Sequence, residues 1–211
     1  FLFKIQVGLK NSLSAGARAR RMDRFLHRMN IQGGERVIDL GGTDIFWRNC
    51  PVPLDIWILN LPGINPPEAI QSRHTIHMID GDACNVENFG EMEFDIAFSN
   101  SVIEHVGDKT KQTDMAQEIL RLAPAYWIQT PSIWFPIEAH SMMPFWWFYP
   151  KSLKKYLLAR WHKKLPLWTE MVETTTVLDR RYFASLFPGS TIWTERKFLF
   201  AKSYVAYKGQ K

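Results

Sequence analysis

The chain has 211 residues, enough for one domain with a substantial core. With 22% charged and 46% hydrophobic residues it has the make-up of a globular protein, and it holds no run of the roughly 20 apolar residues that a membrane-crossing helix needs. A net charge of +5 is too small by itself to indicate nucleic acid, and two cysteines, Cys50 and Cys84, are too few and too far apart for a disulfide framework or a metal knuckle. The N-terminus lacks a signal-peptide layout, so the expectation is a cytoplasmic protein with both thiols reduced.

Residues 1 to 11 carry no clear period. From Ser14, a residue suited to an N-cap, to Met29 the spacing predicts a helix, with Met22, Phe25, Leu26 and Met29 at i, i+3, i+4 and i+7. Arg18, Arg20, Arg21, Arg24 and Arg28 crowd that helix and read as a solvated basic face. Gly33-Gly34 end it, and Arg36 to Leu40 follow as a strand apolar enough to be buried on both faces. Asp39, Gly41 and Gly42 close that strand, leaving bare backbone where open α/β sheets bind their ligands.

Thr43 to Arg48 predict a short helix whose amide end faces the crevice. Asp44 would repel a pyrophosphate there unless turned away, and the third glycine of the dinucleotide fingerprint is absent, so a ligand without phosphates fits better. Asp55 to Leu61 read as the second strand; Asn60 stands where such folds place the group that holds ribose hydroxyls, or it starts the Pro62 to Pro67 loop. Thr75 to Ile79 give a third strand followed by Asp80-Gly81-Asp82-Ala83, and Phe94 to Asn100 a fourth, from which Ser101 to Val106 turn away. A helix over Thr113 to Ala123, capped at Thr113 or Asp114, precedes a fifth strand from Ala125 to Thr130. This alternation predicts a parallel sheet with helices on both faces.

Beyond Pro131 the pattern breaks into Trp134 to His140 and then Met142 to Pro150, almost wholly aromatic or apolar. Leu153, Tyr156 and Leu157 suggest a helix led by Pro150, Leu178 to Phe187 another, and Thr191 to Glu195 with Phe198 to Tyr207 two closing strands. The rings between Pro131 and Trp168, with Lys151, Lys154, Lys155, Arg160, Lys163 and Lys164, either line an acceptor pocket or form a second small core.

Three stretches carry a resemblance: Val37 to Thr43, Asp80 to Ala83, and above all Phe94 to Val106. Through them the chain resembles the class I S-adenosylmethionine-dependent methyltransferases, of the type 11-like kind, over roughly residues 30 to 131. The resemblance implies an α/β fold, a Rossmann-like seven-stranded sheet with helices on both faces and an antiparallel last strand. Outside it, the sequence itself gives a helical segment at 1–30 and an aromatic-rich insertion after strand five at 132–188, expected to bind the acceptor, and the length fits a single domain over 1–211. The cofactor implied is S-adenosyl-L-methionine. Asp39, Gly41, Gly42 and Thr43 would hold its methionine end, Asn60 its ribose and Asp82 with Ala83 its adenine, while Ser99 and Asn100 would line the floor near the sulfonium. Thr43 and Asp44 depart from the usual glycine-rich loop.

The implied activity is methyl transfer to a small-molecule, glycan or lipid-linked acceptor. An RNA methyltransferase or a non-catalytic nucleotide-binding module is the alternative. A peripheral membrane contact by Trp146, Trp147 and Trp161 is a further one. Glu104, His105 and His140 are expected to face the acceptor as catalytic residues. Similar enzymes carry Glu-x-x-Glu-His here and use it for a divalent metal, but Ser101 replaces the first carboxylate, so no metal ligand is assigned. One carboxylate and two imidazoles can still hold a cation weakly; without one, a histidine titrating near neutrality accepts the proton of an attacking hydroxyl. The alternative is that Glu104-His105 caps and packs the helix after strand four.

Overall fold

A computed structural model of the chain describes residues 16, 19–65 and 72–210. Ser14 and Arg18 of the expected first helix lie outside the described residues, as does the Pro66-Pro67 end of the loop after the second strand. Seven strands form one sheet: β1 (Arg36–Leu40), β2 (Asp55–Asn60), β3 (Thr75–Asp80), β4 (Ile96–Asn100), β5 (Ala125–Pro131), β6 (Thr191–Lys197) and β7 (Phe200–Lys208). Their order is β3-β2-β1-β4-β5-β7-β6; β1 to β5 pair in parallel, and β7 is antiparallel to both its neighbours. The chain leaves β1 in one direction and β4 in the other, so a crevice opens beyond their carboxyl ends.

Alternation along the strands sorts side chains into two cores, as a sheet covered on both faces requires. Val37, Ile56, Ile58, Phe98 and Trp127 face one layer, built from helix α1 (residues 19–29) and α2 (Asp44–Trp47). Ile38, Leu40, Ala97, Tyr126 and Ile128 face the other, built from α3 (Lys109–Leu122) and α6 (Arg180–Leu186). The excursion after β5 carries α4 (Lys151–His162) and α5 (Pro166–Thr174); no residue of α4 is buried.

Three differences from the sequence-based expectation have local causes. Helix α3 begins four residues before Thr113, because Asp108 accepts from the backbone N–H groups of Thr110 and Lys111 and so caps it; Thr113 instead bonds back to Lys109 O. Arg21 is not part of a solvated face: it is buried, bonding Asn100 Oδ1 at 2.6 Å and Glu195 Oε2 at 3.1 Å. Helix α5 adds an element that the sequence-based expectation does not include, and its buried residues are Thr169 and Val172. Both cysteines are buried free thiols, as expected.

Phe25 anchors α1 to the sheet, with its ring in edge-to-face contact with Trp47, Phe98 and Trp127 at 5.3–5.8 Å. Phe25→Ala is expected to cost about 3–5 kcal/mol by urea unfolding, since the cavity lies among three rings that are themselves held by the sheet. An unchanged midpoint would show that α1 is not docked there.

Candidate functional site

The crevice floor is set by one carboxylate. Asp39 is buried at the end of β1, on the α2 face, and Trp47 Nε1–H donates to its Oδ2 at 2.8 Å while Oδ1 has no partner. A β-carbon on Gly42 would stand 1.8 Å from Asp39 Oδ2, so only glycine fits over the acid. Gly41 has φ +77°, and a β-carbon there would meet the Val102 methyls at 2.5 and 2.7 Å. The chain thus passes over Asp39 as uncovered backbone. Burial pushes the Asp39 carboxyl up to about 7, with the Trp47 bond acting weakly in the opposite sense.

Asn60 ends β2 beside this backbone. Its Nδ2 donates to Gly42 O at 3.0 Å and to Asn65 Oδ1 at 2.9 Å, which orients the amide and leaves its carbonyl oxygen as the atom able to accept from a ribose hydroxyl. Asp82 and Ala83 follow β3; Asp82 Oδ1 accepts from Cys84 N, and Lys111 Nζ lies 3.9 Å from its Oδ2. Ser99 is fully buried and donates to Leu40 O at 2.9 Å, tying β4 to the end of β1. Asn100, half-buried on the opposite face, is taken by Arg21. Thr43 flanks α2 without a side-chain cap, and the Asp44 carboxylate is held in an ion pair with Arg48.

Glu104, His105 and His140 come together although 35 residues separate the histidines. Glu104 and His105 lie in the turn between β4 and α3 and do not cap that helix, which is Asp108's role. Their ligand atoms and that of His140 all lie within 4.8 Å of one another. Glu104 is fully buried; Thr130 Oγ1 donates to its Oε2 at 3.0 Å, and Oε1 has no partner. Burial pushes Glu104 up to about 7 against that bond.

Hydrogen bonds orient the histidine pair. His140 Nδ1–H donates to Glu138 Oε1 at 2.7 Å. Thr175 Oγ1 donates to Met171 O at 2.6 Å, so at 3.3 Å it accepts from His105 Nδ1–H. The two Nε2 atoms then face each other at 3.0 Å, a pair of acceptors that can share one cation, a proton or a metal ion. Burial and the neighbouring His140 lower His105 to about 4, far from the neutral titration expected of it from the sequence. Burial raises Glu138, but bonds from His140 and Ser141 outweigh it and hold the carboxyl down at about 2.

Glu138, Thr130 and Thr175 escaped the sequence analysis as site residues. The spacing of Glu138 two residues before His140 was the available signal: a turn lets one carboxylate bond both the backbone and the ring of that histidine. For the metal, the donor set fits, because each candidate ligand is oriented by a partner and Glu104 Oε1 is free to coordinate. The tryptophans of the insertion divide. Trp146 is 3% exposed and stacks with Trp161, which meets Trp168, so this part is a small core; Trp134, Phe145 and Phe148 stay exposed.

No protein-family model matches the sequence, and no curated protein does. Among solved structures, the chain is similar to a putative S-adenosyl-L-methionine-dependent methyltransferase from Methanococcus maripaludis, with a TM-score of 0.55 and 14% identity over 99% of this chain and 91% of that one. It is similar to the phosphoethanolamine N-methyltransferase 2 of Haemonchus contortus in complex with phosphomonomethylethanolamine and S-adenosylhomocysteine, with a TM-score of 0.54 and 13% identity over 90% of this chain. The chain spans about half of that protein, 53% of its length. It is also similar to a Rhodobacter sphaeroides protein named as a putative zinc-dependent alcohol dehydrogenase, with a TM-score of 0.57 and 13% identity over 91% of this chain and 89% of that one. What is shared at these identities is the fold, the Rossmann-like seven-stranded sheet with an antiparallel last strand that the sequence led us to expect.

The Asp39 carboxyl has a stability consequence. Folded, it keeps its proton up to about pH 7, whereas unfolded it releases it near 3.8, so between these values the folded state binds more protons and stability falls as pH rises. Asp39→Asn keeps the acceptor for Trp47 and is expected to remove that fall, which is of the order of 4 kcal/mol. Urea unfolding of both proteins across this range checks it, and parallel stability curves would contradict it.

Proposed function

We propose that this chain, which has the fold of the class I S-adenosylmethionine-dependent methyltransferases, binds S-adenosylmethionine and transfers its methyl group to a small-molecule, glycan or lipid-linked acceptor by in-line displacement. The observation that carries the proposal is the bare Gly41-Gly42 backbone over Asp39, opening at the same end of the sheet as the Glu104, His105 and His140 cluster. The cradle fits the cofactor: Asp39 Oδ1 is a buried polar atom without a partner, and Asn60 offers a carbonyl oxygen to the ribose. Structural neighbours bound to S-adenosylhomocysteine support the same choice.

When bound, S-adenosylmethionine supplies a methyl group already activated on a sulfonium, so the site needs no strong acid. The work left to the chain is to align the acceptor and take up the proton it releases. The His105–His140 pair can take one proton between its facing Nε2 atoms, with the Glu138 carboxylate balancing the charge and Thr175 holding the second ring. Glu138 is thus a positioning residue and the histidines the catalytic ones. A second reading, in which Glu104, His105 and His140 hold a divalent cation in place of that proton, is favoured by the unpartnered Glu104 Oε1. An RNA acceptor is less well supported, because Arg21, one of the basic residues that would track phosphates, is buried against Asn100 and Glu195.

Calorimetry is expected to give binding of S-adenosylmethionine and none of NAD; the reverse result would overturn the proposal. Asn60→Leu should weaken S-adenosylmethionine about tenfold. It is a cleaner probe than Gly41→Arg, whose side chain would also collide with Val102 and threaten folding.

Labelled methyl transfer to acceptors in a cell extract tests the histidines. His140→Ala is expected to lower transfer about 100-fold with cofactor affinity intact. Glu138→Gln should lower it about tenfold and move the acid limb of the pH profile downward, because its carboxylate favours the protonated pair. Transfer unchanged in both would remove the catalytic role. Loss on chelation with recovery on added zinc would assign the cluster to a metal, and indifference to chelator to a proton.

A further inference from the structure

Two bulky residues sit in conformations that folding alone does not favour. Phe198 and Leu199 form the two-residue turn between β6 and β7, 85% and 89% exposed, and Phe198 has φ 55°, in the left-handed region where glycine and asparagine belong. Phe145 is likewise exposed with φ 52°. A sequence selected for stability alone would place glycine or asparagine at Phe198. Next to Phe198, Leu199 and Phe200 line one cleft of about 500 Å³ together with Trp134, Phe145, Phe148 and Arg196.

The patch is rimmed by positive charge. Arg196 and Lys197 flank the turn, and Lys151, Lys154 and Lys155 on α4, with Lys163 just after it, line a second groove of about 610 Å³ that holds one acid, Glu173. Lys154 Nζ donates to Trp147 O at 3.2 Å, which ties α4 to the segment that carries Phe148. The patch also lies on the rim of the functional crevice. Ser203 of β7 pairs with Pro131 at the carboxyl end of β5, so the Phe198-Leu199 turn projects beyond that end. The loop that carries Trp134 and Phe145 carries Glu138 and His140 between them, closed by Phe145 N bonding Pro136 O at 2.7 Å.

We propose that this rim docks on an anionic lipid surface, with the Phe198-Leu199 turn and the Trp134, Phe145 and Phe148 rings entering the headgroup boundary and the α4 lysines contacting lipid phosphates and carboxylates. Exposed aromatic and aliphatic side chains next to a cationic ring are the chemistry of interfacial binding, in which apolar burial and attraction to anionic headgroups add. No helix among the described residues is long and apolar enough to cross a membrane, so contact is at the surface. The residues differ from the Trp146, Trp147 and Trp161 set expected from the sequence, because Trp146 is buried in the α4–α5 core and cannot insert. On this orientation the crevice faces the lipid, and the acceptor is a molecule presented at a membrane surface.

Co-sedimentation of the full chain with phosphatidylcholine vesicles, with and without phosphatidylserine, tests the proposal independently of cofactor binding. Binding is expected only with phosphatidylserine and is expected to weaken as salt is raised. Phe198→Gly combined with Leu199→Asn suits a turn whose first central residue alone has positive φ, so it should preserve Tm and S-adenosylmethionine affinity while lowering vesicle affinity about tenfold or more. Absence of binding to either vesicle would overturn the proposal, as would binding that the double variant leaves unchanged. So would a concentration-dependent dimer, seen by analytical ultracentrifugation and abolished by the same variant without any vesicle binding, since the patch would then cover a second copy.

Discussion

The geometry of the crevice follows from where one carboxylate is kept. Asp39 lies beneath its own chain, bonded to Trp47 and to nothing else, and the space a side chain on Gly42 would need is already filled by its oxygens. A buried acid with one lone hydrogen bond is costly, and its carboxyl responds by holding a proton up to about pH 7. Such a cost is retained where it keeps a polar, side-chain-free floor open at the switch point of the sheet. The rest of that floor depends on the same arrangement, since Asn60 is oriented by Gly42 O and Ser99 by the carbonyl of Leu40.

The second polar cluster obeys a different constraint, the commitment of one nitrogen of each imidazole to a partner. With Nδ1 of each ring held by Glu138 or Thr175, the two Nε2 atoms are left facing each other at 3.0 Å as a pair of acceptors. The excursion after β5 supplies both His140 and Thr175, so a segment that adds little to the main core completes the cluster at its edge. Its aromatic residues serve two ends in the same way: Trp146, Trp161 and Trp168 hold α4 and α5 together, while Trp134, Phe145 and Phe148 are left facing outward beside the site.

Much of this architecture was legible in the residues. Val37, Ile38 and Leu40 followed by two glycines identify the central strand and its end, because an apolar run and a stop without side chains are local properties. The five parallel strands and the closing pair fall where period and punctuation place them, to within a residue or two. Helix α3 was misplaced at its start because a cap depends on one side chain turning back, and Asp108, Thr113 and Asp114 are equally able to do so in sequence. The arginines of α1 were read as one solvated face, but Arg21 points at the sheet, where Asn100 and Glu195 wait.

By itself, then, the sequence determined the fold class, the acid and glycines of the crevice and the identity of the two histidines, each of which is marked within a short window of chain. Only the tertiary structure decided that Glu138 anchors His140, that burial takes His105 down to about 4, and that Leu199 and Phe200 share a cleft with Phe145 and Phe148. These depend on which loops meet at the carboxyl end of the sheet and on how much water they exclude there, and neither is written in the spacing of residues along the chain.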